Sequence, residues 1–171
     1  MPFIYKKSLN ANQGRVLVEY TLADSTTFTV GDALSLSSGK LALTADGNSV
    51  GGILVGFKTA AGEPLTDNGA GSDYTNTYTT PASNTVKGVI DISKESVYSV
   101  TADATLGTTT GSDKAGYFMD ALAASDQLDE STAAATAAQF ISLGEDSDSL
   151  ATDNSVLVMI YESQFFGPLA A

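Results

Sequence analysis

An all-β fold is what the sequence predicts, on three observations. Ser and Thr supply 39 of the 171 residues and Gly another 16, a composition suited to short strands joined by many turns. Runs in which apolar and polar residues alternate, the period of a half-buried strand, recur along the chain. Turn signals separate these runs about every 8–12 residues with no helical pattern between them, which favours a barrel or sandwich over alternating βα units.

The elements follow in order. Residues 15–22 form a β-rich run, and Ala23-Asp24-Ser25 turns the chain into a second strand at 26–30. After Gly31-Asp32, residues 33–36 and 40–44 both alternate at period two around Ser38-Gly39, which predicts a β-hairpin over 33–44. Asp46-Gly47 leads into 50–57, where Gly51, Gly52 and Gly56 inside an apolar strand predict a bulge or a close backbone approach. The stretch 59–83 is rich in Gly, Asp, Asn, Thr and Pro and reads as a long loop, with Tyr74 and Tyr78 in a Thr/Tyr run suited to an exposed hairpin arm. Strands resume at 85–92 and 97–101, a turn-rich 107–113 precedes a strand at 115–119, and 139–143 and 155–162 complete the set. Asp126 and Asp129 stand where they could cap one short helix over 133–138. The expected organisation is an extended amino-terminal arm over 1–13 and a single β-rich domain over 14–171, with at most that one helix.

Composition then removes classes of function. The chain has no Cys, His or Trp, and 20 acidic residues face 8 basic ones for a net charge of −12. Cys-based zinc sites, thiol and Ser-His chemistry and iron–sulfur clusters are excluded. An acidic balance also argues against a phosphate backbone as partner, since that affinity comes largely from Lys and Arg displacing counterions. No apolar run approaches the roughly 20 residues that span a bilayer, and residues 1–7 carry no charged region followed by an apolar stretch, so neither a membrane partner nor Sec export is expected. Two carboxylates could in principle hydrolyse a glycoside. The candidate groups, Asp126 with Asp129 and Glu130, and Glu145 with Asp146 and Asp148, stand in polar Ser-rich stretches that read as solvated turns, not as apolar settings that raise a pKa. Counted from Asp146, the sixth and twelfth positions are Ala151 and Leu157, where a calcium loop needs Gly and Glu. No phosphate-binding Gly-rich motif is present. The reading is therefore of a non-enzymatic protein with no cofactor and no metal.

Charge is polarised along the chain. All eight basic residues lie in the first 114 positions with eleven acids, a net of −3, while 115–171 hold nine acids and no base, a net of −9. Such a split suits either an acidic surface that keeps a concentrated protein soluble or a docking end opposite a solvated end, in which case Lys6, Lys7 and Arg15 are the contact candidates. The apolar tail at Phe165-Phe166 must pack on its own domain or on a neighbouring subunit, so both are candidates for a subunit contact.

A family resemblance joins these motifs. Val30-Gly31-Asp32-Ala33-Leu34-Ser35-Leu36 with Gly39-Lys40-Leu41, then Val50-Gly51-Gly52-Ile53-Leu54-Val55-Gly56 and Val86-Lys87-Gly88-Val89, resemble the capsid decoration (cement) proteins of tailed bacteriophages, most strongly over about residues 14–101. The resemblance implies a small β-barrel or β-tulip and a late structural protein of the virion. Such a protein is made in the host cytoplasm, is often a homotrimer, and stabilises the major capsid protein lattice from outside. It also implies an amino-terminal arm that adds to a strand of the major capsid protein, for which Pro2, Phe3, Ile4, Tyr5, Lys6 and Lys7 are the matching positions. Strand addition and an apolar patch multiplied by valency suit the same task on physical grounds. The alternative reading is a carbohydrate-binding or adhesin-like β-domain of a head or tail fibre, with 59–83 as its contact surface.

Overall fold

The computed structural model describes residues 3–10, 14–45, 48–65, 76–102, 115–116, 118–121, 127–129, 138–146, 155–165 and 167–168. Strands are the only regular structure among them, fifteen in number, so the fold is all-β. Of the helix expected at 133–138, all but Ala138 lies outside the described residues.

The hairpin over 33–44 forms as its sequence dictates. Strands β4 (Ala33–Ser37) and β5 (Lys40–Leu43) pair antiparallel. Ser38 and Gly39 between them have φ of 50° and 80°, the two consecutive positive values of a turn whose twist matches its strands. With β2 (Leu17–Thr21), β6 (Gly52–Lys58) and β8 (Lys87–Asp91) the hairpin builds a five-stranded sheet in the order β2-β8-β6-β4-β5. The glycines of the 50–57 run do both things expected of them. A side chain at Gly52 would meet the Asp91 carbonyl oxygen at 2.6 Å, and β6 carries a bulge between Leu54 and Gly56.

A second sheet has six strands: β1 (Ile4–Ser8), β9 (Ser96–Thr101), β13 (Ser155–Ile160), β12 (Phe140–Glu145), β10 (Phe118–Ala121) and β11 (Leu128–Asp129), in that order. Two small ribbons complete the fold, β3 (Thr27–Thr29) with β7 (Thr77–Thr79), and β14 (Glu162–Ser163) with β15 (Gly167–Pro168). The sheets are open and no barrel closes among the described residues. The five-stranded sheet comes nearest: it curls until Leu22 bridges Leu41, and the Ala23 N–H donates to the Leu41 carbonyl at 2.7 Å.

Period-two alternation sends neighbouring residues of the five-stranded sheet into two separate cores. Leu34, Leu54 and Ile90 face a core closed by Leu22, Leu41, Phe28 and Phe57. Ala33 and Ile53, one residue away, face the six-stranded sheet and join Phe3, Tyr98, Val100, Phe140, Val156 and Val158. Gly88 belongs to the first core for want of space, since a methyl there would sit 2.7 Å from Leu22 Cδ2.

Candidate functional site

The described part of the segment expected to be an extended arm is extended, and it is paired into the domain. β1 is the outermost strand of the six-stranded sheet, paired with β9 through Ile4↔Ser99 and Tyr5↔Tyr98, and after a bulge at Lys6 through Lys7↔Val97 and Ser8↔Ser96. Phe3 is 4% exposed; its ring stacks on Phe140 at 4.8 Å and meets Tyr98 edge-on at 6.2 Å. Its N–H donates to the Gly31 carbonyl at 3.0 Å. Phe3 is therefore an anchor, and the surface that the segment offers begins at Ile4. Pro2 lies outside the described residues.

Two of the candidate cations, Lys6 and Arg15, have partners in the domain. Lys6 Nζ lies 3.1 Å from Asp146 Oδ2, and the Asp146 side chain is 5% exposed, so that acid is a buried ion-pair partner and not the solvated turn its neighbourhood suggests. Lys7 is exposed. Arg15 stacks over the Tyr5 ring at 4.5 Å and donates through Nε to Asp91 Oδ2 at 2.8 Å. Asp91 is fully buried at the end of β8, between the two sheets. The same oxygen accepts from Tyr98 Oη at 2.7 Å and Ser96 Oγ at 2.8 Å, and Oδ1 accepts the Ser93 N–H at 2.9 Å. Burial alone would raise the Asp91 pKa, but the hydrogen bonds from Tyr98, Arg15 and Ser93 outweigh it and hold the carboxyl below its ordinary value. Burial, together with the charge of Asp91, drives the Tyr98 phenol upward, so it stays a protonated donor. One carboxylate thus ties β1, residue 15, β8 and β9 into a unit, which fixes the amino-terminal surface relative to both sheets.

That surface is apolar. Among the described residues six large hydrophobic side chains are exposed, and five of them fall between positions 4 and 17: Ile4 (44%), Tyr5 (36%), Leu9 (56%), Val16 (48%) and Leu17 (49%). The Ile92 N–H donates to the Val16 carbonyl at 2.9 Å, which carries these residues from one sheet edge to the other. A cleft of about 250 Å³ runs beside Ile4, Tyr5, Arg15 and Val55.

Other sequence candidates are placed elsewhere. Phe165 stacks on Tyr20 at 6.0 Å against the first core, and Phe166 lies outside the described residues. Tyr78 is half-buried and packs on Phe57 at 5.9 Å, so it forms no platform in the 59–83 stretch; Tyr74 lies outside the described residues, as do Asp126, Glu130 and Asp148. The Asp91 cluster was missed by sequence reasoning, although an acid inside Val89-Ile90-Asp91-Ile92 is the signal of a buried, partnered carboxylate. Comparison with protein-family models, curated proteins and solved structures returns no match to this chain.

Proposed function

We propose that this chain is a structural virion protein that binds the outer surface of an icosahedral phage capsid and stabilises the lattice of its major capsid protein. The observation that carries this reading is the clustering of exposed apolar side chains at 4–17, on and beside the outermost strand of a sheet. Apolar patches rimmed by polar residues mark protein-binding surfaces on soluble domains, and an open strand edge adds backbone donors and acceptors to them. In this reading the anchored Phe3 and the Arg15–Asp91 pair hold the patch rigid, so little ordering entropy opposes docking. Association as a homotrimer multiplies a weak contact by valency. No catalysis, cofactor, nucleic acid or membrane enters the proposal, and the site of action is the virion surface after synthesis in the host cytoplasm.

Co-sedimentation with expanded, DNA-free heads of the encoding phage tests it. Full-length protein is expected to bind saturably, and an Ile4→Ser/Leu17→Ser variant to bind at least tenfold more weakly. Absence of binding by the unmodified chain would contradict the function. Undiminished binding by the variant would contradict the surface. Removing residues 1–13 is a poor substitute, because it deletes the Phe3 anchor along with the contact residues.

A further inference from the structure

Arg15 stands among the exposed apolar residues at 4–17, and much of its hydrogen-bonding capacity is unused. A guanidinium carries its N–H donors in one rigid plane. The Nε donor is committed to Asp91 Oδ2 at 2.8 Å, and among the described residues no acceptor meets Nη1 or Nη2. Asp91 is fully buried. Because the group is planar, an Nε–H aimed at that oxygen leaves the Nη1–Nη2 edge turned away from it, and the Arg15 side chain is 28% exposed. The edge is therefore open at the surface, beside the cleft of about 250 Å³ whose walls include Ile4, Tyr5 and Val55.

Its surroundings hold that edge in place. The Arg15 Cζ sits 4.5 Å from the centroid of the Tyr5 ring, and Tyr5 is itself fixed in β1 opposite Tyr98. A long side chain ordinarily loses much rotamer freedom on binding; here the stack and the Asp91 bond have removed it beforehand. The ion pair is also polarised. Asp91 accepts from Tyr98, Ser96 and Ser93 as well, so the anion is spent on interior donors while the outer edge of the cation is not. Ile4, Val16 and Leu17 are exposed in the same surface, and a partner that covers them excludes water, which strengthens a charge-assisted bond formed there. Arg and Tyr anchors ringed by apolar contacts are the residues that dominate protein interfaces.

We infer that Arg15 is the specificity-determining residue of this docking surface, and that it reads an acidic side chain, Asp or Glu, set beside an apolar residue on the partner protein. The carboxylate would take two parallel bonds from the Nη1–Nη2 edge, and the apolar neighbour would enter the cleft. Two donors in one plane match a carboxylate. A cleft of that volume falls below the range of ordinary small-molecule pockets and fits a side chain, which selects a polypeptide over a lipid or a sugar. The inference rests on the docking patch of the function proposed above and names the chemistry of its partner; it does not require that partner to be a capsid.

The test is a side-chain NMR titration of the full chain that follows the Arg15 Nε and Nη signals. The probes are blocked pentapeptides with one Glu between two Leu, and their Gln isosteres, up to about 10 mM, since contacts this small fall in the millimolar range. The Glu peptides are expected to shift the Arg15 signals and to bind roughly fivefold more tightly than the Gln peptides, the value of a well-placed ion pair at a surface. Arg15→Lys keeps the charge but cannot both hold Asp91 and offer two parallel donors, so it is expected to lose that preference. Equal binding of the Glu and Gln peptides, no binding by either, or the same shifts from inorganic phosphate alone would overturn the inference, as would a preference retained in Arg15→Lys. Co-sedimentation with expanded heads separates it from the function above. Shell binding undiminished in Arg15→Lys would overturn the inference and leave the function standing, whereas no shell binding by the unmodified chain, with the Glu preference intact, would overturn only the function.

Discussion

Asp91→Asn removes one charge and one acceptor at the point where both sheets and the amino-terminal segment meet. In the native protein four donors converge on the carboxylate at 2.7–2.9 Å, and the group is fully buried. The amide keeps one oxygen: in the Oδ2 place it retains Tyr98 and Ser96 but turns its NH2 on the Ser93 N–H, and in the Oδ1 place it leaves Tyr98 and Ser96 without their acceptor; a buried unsatisfied donor costs about 1–3 kcal/mol. Arg15 also loses its counterion. A pair broken on one side costs about 3–5 kcal/mol when buried, but the Arg15 side chain is 28% exposed, and water recovers much of that. The two parts together give about 3 kcal/mol, which for a chain of this length lowers the melting temperature by roughly 6–12 °C. Arg15→Gln, which leaves the Tyr98, Ser96 and Ser93 bonds in place, is expected to cost about 1 kcal/mol. Urea unfolding of both variants and of their double mutant isolates the coupling. If Asp91→Asn lies within about 0.5 kcal/mol of the native protein, the range of ordinary surface changes, the carboxylate is not the junction described.

Three further outcomes follow from the same geometry. The stability gap between the native protein and Asp91→Asn is expected to be flat above about pH 5 and to close as pH falls below about 4 and through the folded pKa, because a carboxyl with a depressed folded pKa contributes only while ionised; a gap unchanged down to pH 2.5 in urea titrations would contradict the assignment. Phe3→Ala is expected to cost about 3–4 kcal/mol, as for a buried aromatic, and to speed hydrogen exchange across β1 and β9, whereas a free arm would show neither. Gly88→Ala, with its methyl 2.7 Å from Leu22, is expected to destabilise by about 1–3 kcal/mol, while Gly56→Ala is neutral or slightly stabilising; scanning calorimetry of the pair reads the contrast.

The elements whose signal is local were legible in the sequence. Ser38-Gly39 between two alternating runs identifies the hairpin, Gly51-Gly52 the close approach of β6 to Asp91, and the apolar run over 155–162 the central strand β13. What the sequence does not carry is pairing between distant segments. The run 3–8 is apolar and basic whether it hangs free or joins an edge, and only the fold places Phe3 on Phe140, 137 positions along the chain. The same applies to Arg15, Lys6 and Asp146, whose charges read as solvent-facing until their partners across the sheets are known. Curling of the five-stranded sheet without closure is likewise a property of twist and bulges, to which composition is blind.

The central proposal, a structural protein bound to the outside of a phage head, is tested most directly by counting this chain in purified phage particles with isotope-labelled peptide standards. A lattice-binding protein is expected at hundreds of copies per particle, in a fixed ratio to the major capsid protein. Absence from the particle, or a handful of copies confined to the tail, would contradict it.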